Sequence, residues 1–222
     1  MTDSRSSGAD SQPLQVYVVP VTPFRQNASV LVSTATGKAA IVDPGGDIDA
    51  LMAAVAESGA TVEKILLTHG HLDHAGAAAE LAERLGVPIE GPHEADRFLL
   101  DELPTAGRRY GIETMRAVSP DRFLVEGDQV SVGDLVFDVL HVPGHTPGHV
   151  VFVLPAAGFA LVGDTLFAGS VGRTDFPYGD GEGLVDNIRR KLLPLGDHVT
   201  VLPGHGRATT IGEERRSNPY IA

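Results

Sequence analysis

Three histidines and one aspartate occupy six positions of a short segment, THGHLDH, which runs from Thr68 to His74. Imidazole and carboxylate groups together form a donor set that suits Zn²⁺, iron and Mn²⁺, and adjacent side chains that point in opposite directions can serve two neighbouring ions. Taken alone, the segment could equally be a solvated polar turn, because short histidine-rich runs also arise by chance. It predicts a metal site only if more ligands lie elsewhere in the chain.

Three later segments offer such ligands. His145 lies in PGHTPGH, Asp164 lies in VGDT and His205 lies in PGHG, and each segment follows a strand-like stretch. Each of these residues has glycine beside it, which lets the backbone approach an ion closely. The chain contains no cysteine, so any ion must be held by nitrogen and oxygen. Four segments with the same chemistry favour a metal centre over four unrelated turns.

Strands and helices alternate around these segments. Residues 14–42 are rich in β-branched residues separated by turn formers, which predicts an antiparallel start, and residues 48–59 have the apolar spacing of a helix. A buried strand leads into the histidine cluster, an alanine-rich helix follows it, and strands, a helix and a strand come later. Two such halves would bury both faces of two stacked sheets. We predict an α/β fold, a four-layer αββα sandwich with the site along one edge.

The length of 222 residues fits one domain. We expect a disordered N-terminal tail at residues 1–13 and a single domain at residues 14–222. Residues 91–122 break the rhythm with mixed charge and a helical centre, so we interpret them as an insertion over the site. The polar start lacks the basic and apolar features of a secretory signal, and a cytoplasmic location is therefore expected.

The composition limits the classes of partner that the protein is expected to bind. The net charge of −12 disfavours nucleic acid, whose phosphates attract basic surfaces, and no apolar run approaches the roughly 20 residues that a membrane helix needs. A small-molecule substrate is expected, bound by a monomer or a small homo-oligomer. The chain has no Gly-x-Ser-x-Gly motif and no cysteine nucleophile, so the attacking group is expected to be water activated by two metal ions. The residues alone indicate hydrolysis of a small acyl ester, thioester or amide.

The order His-x-His-x-Asp-His, followed downstream by His, Asp and His, resembles the metallo-β-lactamase superfamily over residues 14–205. The resemblance implies that superfamily's four-layer sandwich and two divalent metal ions, taken as Zn²⁺ with iron or manganese as alternatives. It also implies that a first ion is bound by His69, His71 and His145, and that a second ion is bound by Asp73, His74 and His205. Asp164 would bridge both ions, and Asp73 and Asp164 would be the catalytic carboxylates.

Three further segments, GPHE at 91–94, GRTDFP at 172–177 and TIGEERRSNP at 210–219, resemble glyoxalase II-like hydrolases of the short bacterial type. That resemblance implies cleavage of a thioester such as S-D-lactoylglutathione to D-lactate and glutathione by a metal-bound hydroxide, as in methylglyoxal detoxification. Larger glyoxalase II enzymes have a C-terminal helical domain that helps to bind glutathione, and this sequence stops about where that domain would begin. The sequence therefore does not specify which thiol the substrate contains.

A mononuclear iron glutathione-persulfide dioxygenase is the alternative, because such enzymes share the fold and the GRTDF loop. Pro177 follows that loop where the dioxygenases usually have glutamine, and the segment 91–94 resembles the hydrolases, so the hydrolase is favoured. Hydrolysis of another small acyl ester or amide is the other alternative.

A few residues outside the ligand set carry further hypotheses. Asp43 is either a turn residue or a carboxylate that orients metal ligands without binding an ion. Arg173, in the glycine-rich loop, is a candidate for binding an anionic group of the substrate, and His93, in the insertion, is a second candidate for substrate binding. His141 and His149 are interpreted as packing residues or as residues that support metal ligands, and His198 is interpreted as a solvated residue.

Overall fold

The structure, a computed structural model, describes residues 12–221. Residues 1–11 of the predicted tail and residue 222 lie outside the described residues, so the predicted limits of the tail and the domain stay predictions. Thr34 donates two hydrogen bonds to the start of the described chain. Its Oγ1 donates to the main-chain oxygen of Gln12 at 2.9 Å, and its main-chain N donates to that of Pro13 at 3.1 Å. Within the described range, no helix has the length and apolar character needed to cross a membrane.

The first half of the chain forms a five-stranded sheet with the order β1-β2-β3-β4-β5. Tight turns join β1, β2 and β3, which pair antiparallel, whereas helical crossovers make β3, β4 and β5 parallel. The strands are β1 (Leu14–Val21), β2 (Gln26–Ser33), β3 (Lys38–Val42), β4 (Thr61–Leu66) and β5 (Ile89–Glu90). The helices of this half are α1 (Ile48–Ser58), α2 (Leu72–Ala75), α3 (Ala78–Leu85) and α4 (Arg97–Arg109).

The second half forms a six-stranded sheet with the order β13-β12-β9-β8-β7-β6. Only the β9 and β12 pair is parallel within it. Its strands are β6 (Gln129–Val132), β7 (Leu135–His141), β8 (Val150–Leu154), β9 (Phe159–Gly163), β12 (Thr200–Pro203) and β13 (Thr209–Thr210). A separate hairpin comprises β10 (Leu166–Phe167) and β11 (Ser170–Val171), and the helices are α5 (Gly181–Asn187), extended by π and 3-10 turns to residue 195, and α6 (Ile211–Ser217).

Apolar side chains form three separate layers, because successive residues of a strand face opposite sides of its sheet. In β2, Leu31 packs between the two sheets, whereas its neighbours Val30 and Val32 pack against the helices of the first half. Phe137 and Phe152 fill the space between the sheets from the second half. A third layer lies between the second sheet and its helices. The layer order is therefore helices, sheet, sheet and helices, which confirms the predicted αββα sandwich.

Some short elements differ from the sequence prediction. The helix expected at 75–86 is divided, because Gly76 and Ala77 separate α2 from α3. The two-residue strands β5, β10, β11 and β13 and the helix α6 were not predicted, since two residues are too few to show a strand period. The segment 91–122 does have a helical centre, α4, with Leu100 and Leu103 buried in the first apolar layer.

Four strands of the two sheets end at the same edge of the sandwich. In the first sheet β3 and β4 are parallel and lead into Asp43 and His69, whereas in the second sheet β9 and β12 are parallel and lead into Asp164 and His205. The carboxyl ends of parallel strands meet at one edge of a sheet. The polar residues that the sequence singled out are thus brought together from both halves.

Candidate metal centre

Three imidazole nitrogens converge at this edge. His69 Nε2 lies 3.2 Å from His71 Nδ1, and His145 Nε2 lies 3.0 Å from the same atom. Three nitrogens bound at the usual Zn–N length of about 2.0–2.1 Å in tetrahedral geometry would lie about 3.3 Å apart. His69 and His145 are buried, and the three residues form one group of donor atoms that could hold a single ion.

The remaining ring nitrogens of this group have partners that orient the rings. His145 Nδ1 donates to the main-chain oxygen of Arg173 at 2.7 Å, and His71 Nε2 lies 2.9 Å from the hydroxyl of Tyr178. His69 Nδ1 lies 3.0 Å from Thr68 Oγ1. A partner on one ring nitrogen fixes the orientation of the ring and leaves the other nitrogen free to bind an ion.

A second group of donors contains Asp73, His74 and His205. Asp73 Oδ2 lies 3.2 Å from His205 Nε2 and 3.9 Å from His74 Nε2. His74 Nε2 and Asp164 Oδ1 are buried and lack a hydrogen-bond partner within residues 12–221. Buried polar atoms normally have partners, so these two atoms fit a site for a cation.

Asp164 lies between the two groups. Its Oδ1 is 3.4 Å from His74 Nε2, and its Oδ2 is 3.7 Å from His145 Nε2 and 3.6 Å from His205 Nε2. A side chain at Gly204 would overlap Asp164 Oδ1 and place its Cβ 2.6 Å from His74 Cε1, so glycine is required there. The nitrogen and oxygen donors in two adjacent groups, with one carboxylate facing both, fit two divalent ions such as Zn²⁺, iron or Mn²⁺.

Asp43 lies beneath the second group and is 3% exposed. Its Oδ1 accepts from the main-chain N of Thr68 at 2.7 Å, and its Oδ2 accepts from Thr68 Oγ1 at 2.6 Å and from His74 Nδ1 at 2.9 Å. Both oxygens are therefore already hydrogen bonded. This arrangement favours the hypothesis that Asp43 orients a ligand without binding an ion.

The two groups differ in their charge. Burial, with the neighbouring imidazoles, lowers the pKa of His71 to about 3 and that of His69 well below its usual value, and burial also lowers the pKa of His145. Burial alone would lower the pKa of His74 too, but the carboxylates of Asp164 and Asp73 raise it well above the usual value. The surroundings therefore favour neutral imidazoles in the first group and the protonated form of His74 in the second.

The carboxylates of the centre are ionised. Although burial alone would raise the pKa of each, the imidazoles around them dominate: His74 and His145 lower the pKa of Asp164, and His74 and His205 lower that of Asp73. Two negative charges thus lie among the histidines and complement the positive charge of bound cations.

A buried carboxylate that the sequence did not identify lies beside the first group. Asp96 is fully buried and accepts hydrogen bonds from Gly70 N at 2.9 Å, Thr146 Oγ1 at 2.8 Å and Gly148 N at 2.5 Å. Burial raises its pKa to about 6. In the sequence an aspartate directly before a helix indicates only a helix cap, so this role had no sequence signal.

The predicted substrate residues lie at different places. Arg173 is exposed, and its guanidinium pairs with both carboxylate oxygens of Asp175 at 2.8 and 2.9 Å and lies 4.6 Å above the ring of Phe176. The rings of Phe176 and His71 are 4.9 Å apart, which places Arg173 at the rim of the centre. Tyr178, which stacks on Phe176 at 5.3 Å, also belongs to this rim and was missed by the sequence analysis.

The other histidines do not belong to either group of donors, although His149 contacts one of their members. His93 stacks on His141 at 4.3 Å, and its Nδ1 accepts from the main-chain N of Ala95. His149 is buried against the ring of His69 at 4.7 Å, and His198 is exposed. Neither contact of His93 involves a donor of the centre, and its role in substrate binding stays a prediction.

Comparisons with known proteins agree with this geometry. The family profile described as Metallo-beta-lactamase superfamily matches residues 21–205, which is most of the chain. The chain belongs to the metallo-beta-lactamase superfamily. Its superfamily relatives include hydroxyacylglutathione hydrolase GloC of Haemophilus influenzae, which is 46% identical over 209 residues, covering 94% of this chain and 98% of the relative.

Solved structures of superfamily members are also similar. The B3 metallo-beta-lactamase BLEG-1 has a TM-score of 0.85 at 35% identity and covers 93% of this chain and 99% of its own. TTHA1623, in a di-iron-bound form, has a TM-score of 0.82 at 40% identity and covers 92% of this chain and 99% of its own. ETHE1 of Myxococcus xanthus has a TM-score of 0.75 at 29% identity and covers 93% of this chain and 84% of its own.

Proposed function

We propose that this protein is a metal-dependent thioester hydrolase that cleaves S-D-lactoylglutathione, or a similar thioester, to D-lactate and glutathione. The observation that carries the proposal is the position of Asp164, whose two carboxylate oxygens face two separate groups of donors. The identity of 46% to the hydrolase GloC across almost the whole chain supports this substrate class.

The proposed ligands follow the two groups of donors. His69, His71 and His145 would hold the first ion, Asp73, His74 and His205 would hold the second, and Asp164 would bridge them. We propose Zn²⁺ for both, with iron or manganese as alternatives that elemental analysis distinguishes. Each proposed site is complete within one chain, which is compatible with a monomer or a small homo-oligomer.

When bound, the two ions would supply Lewis-acid activation of a water molecule and of the substrate carbonyl. The chain itself supplies position and charge. The neutral imidazoles of the first group present free nitrogens, and the carboxylates of Asp73 and Asp164 balance the positive charge. Asp73 Oδ2 lies between His74 and His205 on a side chain that is 17% exposed, so we assign it the orientation of the attacking water.

The leaving group needs little help from the protein. A thiol has a pKa of about 8.5, so a thiolate departs without a dedicated general acid. The stacked rings of Phe176 and Tyr178 form an apolar wall beside His71, which would exclude bulk water from the acyl group. Arg173 at the rim would bind a carboxylate of the thiol part after exchanging Asp175 as its partner.

The substrate also bears on location. Thiols are kept reduced in the cytosol, where glutathione thioesters would form. We therefore propose that the protein acts in the cytoplasm, in the removal of methylglyoxal.

The test combines metal analysis with an activity assay. Purified protein is analysed for its metal content, and hydrolysis of S-D-lactoylglutathione is followed by ultraviolet absorbance. We expect two ions per chain, and we expect His69→Ala and His71→Ala to lose both first-site metal and turnover, whereas His198→Ala, in an exposed turn, keeps both. Full turnover with unchanged metal content in the first two variants would refute the ligand assignment.

A parallel assay distinguishes the dioxygenase alternative, which the similarity to ETHE1 supports. Protein loaded with Fe(II) is supplied with glutathione persulfide in an oxygen electrode. The hydrolase proposal requires thioester cleavage without oxygen uptake. Rapid oxygen uptake with negligible thioester cleavage under any metal loading would replace the hydrolase with the dioxygenase.

A further inference from the structure

A buried carboxylate joins the two loops that carry the first group of histidines. Asp96, directly before α4, accepts hydrogen bonds from the loop after β4 and from the loop between β7 and β8. We propose that Asp96 is a positioning residue that fixes the distance between these loops and thereby the affinity of the first metal site. This inference rests on the proposed function for its ligand assignment.

The hydrogen bonds reach the immediate neighbours of the ligands. Gly70, whose N–H donates to Asp96 Oδ2, lies between His69 and His71 in the chain. Thr146, whose hydroxyl donates to the same oxygen, directly follows His145. The first site thus takes two ligands from one loop and one from the other, and Asp96 holds both loops beside those ligands.

The surrounding sequence leaves room for this carboxylate. A Cβ at Gly148 would lie 2.5 Å from Asp96 N and 2.7 Å from its Cβ and Cγ, and a Cβ at Gly70 would lie 2.8 Å from Leu99 Cβ. Both loops therefore approach the start of α4 more closely than a side chain would allow. A larger residue at either glycine would push a ligand loop away from Asp96.

Asp96 does not act as an ordinary helix cap. It stands at the N-cap position of α4, yet its side chain makes no hydrogen bond to the first turn of that helix. Its two oxygens instead take three donors from outside the helix, and it is fully buried. A buried carboxylate is costly unless it is well hydrogen bonded, so its use here indicates a requirement of the loops and not of the helix.

Asparagine cannot reproduce these contacts. Oδ1 accepts from Gly148 N, whereas Oδ2 accepts from Gly70 N and Thr146 Oγ1. If the amide oxygen of Asp96→Asn faces Gly70, its NH₂ group faces the N–H of Gly148, and two donors meet; the opposite orientation places NH₂ against Gly70. In either case one loop must move, and the three imidazole nitrogens separate.

The experiment measures metal binding directly. Asp96→Asn, Thr146→Val and a control, Asp121→Asn, are titrated with Zn²⁺ in competition with a chromophoric chelator. Asp121 is a matched control because its carboxylate lies in the same segment and accepts from a main-chain N–H, that of Ile89 at 2.8 Å, in a contact that involves no ligand loop. Far-ultraviolet circular dichroism and thermal unfolding of the metal-free proteins report folding.

We expect Asp96→Asn to bind one of the two Zn²⁺ ions about 10–100-fold more weakly, as is usual for residues that support metal ligands, and to bind the other with affinity within threefold of wild type. Thr146→Val should lower the affinity for the same ion by a smaller factor, and Asp121→Asn should lower the affinity for neither ion. If Asp96→Asn does not fold, Thr146→Val, which removes one contact of three, carries the test.

Two outcomes would overturn the inference. Wild-type affinity for both ions in Asp96→Asn and Thr146→Val would show that the loops do not depend on the carboxylate. An equal loss of both ions, with a metal-free midpoint that falls more than that of Asp121→Asn, would assign Asp96 to general stability. Neither of these two outcomes depends on turnover. If the wild-type protein lacks the proposed thioester activity, that result would contradict the proposed function without deciding the role of Asp96.

Discussion

Metal loading of the metal-free protein should release protons in an amount that the charge of the two donor groups determines. An imidazole must lose its proton before it binds an ion. The pKa of His71 is about 3 and those of His69 and His145 are lowered, so the first group should lose fewer protons at pH 6 than three ordinary imidazoles would. The pKa values of His74 and His205 are raised, chiefly by carboxylates that outweigh burial, and these two residues remain protonated at pH 6.

The magnitude follows from these pKa values. An imidazole with the ordinary pKa of about 6.5 is about three-quarters protonated at pH 6, so five ordinary imidazoles would release almost four protons (~3.8) on binding two ions. The protein should release fewer protons than that, and chiefly from His74 and His205, whose pKa values are raised. Asp96, with a pKa of about 6, adds at most about half a proton if the ions lower its pKa. Water bound to an ion adds more at higher pH, which is why pH 6 is chosen.

The assay is calorimetric titration of metal-free protein with Zn²⁺ at pH 6, in two buffers whose ionisation enthalpies differ. The difference in the observed enthalpy gives the number of protons released. His205→Ala is the control, and it should release about one proton fewer. Release of as many protons as five ordinary imidazoles would give (~3.8) would refute the inference that burial lowers the pKa values of the first group. The raised pKa values of His74 and His205 also give a pH dependence. Between pH 6 and 5 the affinity for metal should fall, because protons compete with the ion chiefly at the second group.

Three other changes have expected outcomes that can be measured. Gly204→Ala should weaken Zn²⁺ binding at least tenfold in a chelator competition, because its Cβ would overlap the carboxylate that faces both groups; unchanged affinity would contradict that packing. Phe152→Ala should lower the free energy of unfolding by about 3–5 kcal/mol in urea titrations, whereas Val136→Ala, at an exposed position, should change it by less than about 0.5 kcal/mol. Arg173→Ala should raise KM for a carboxylate-bearing thioester more than for an uncharged one, and Arg190→Ala, an exposed arginine paired within its own helical segment, should raise neither; equal effects of the first change on both substrates would indicate a structural role.

The layers of the fold could be predicted from the sequence for a physical reason. A buried strand such as β8 or β9 has a continuous apolar run. The candidate ligands follow strand ends in short motifs whose chemistry is visible locally, and the structure brings their donor atoms close together. His69 and His74 are buried polar residues, which apolar packing does not explain.

The supporting residues could not be predicted in the same way. Asp96 contacts Thr146 across 50 positions, and Tyr178 contacts His71 across 107 positions. Neither residue has a motif of its own, because an aspartate before a helix and a tyrosine near a glycine turn are common. Their roles depend on how the segment 91–122 and the loop after β11 pack against the centre, which only the tertiary structure specifies.

Each proposed ion would take two ligands from the first half of the chain and two from the second, because Asp164 would be shared by both ions. His69 and His71 would be joined to His145, while Asp73 and His74 would be joined to His205. The proposed metal centre would thus be a pair of crosslinks between the two sheets. In a chain without cysteine, these crosslinks would have the part that disulfide bridges have elsewhere, except that a chelator could open them. Bound metal should therefore stabilise the packing of the two halves, and its removal should lower the free energy of unfolding.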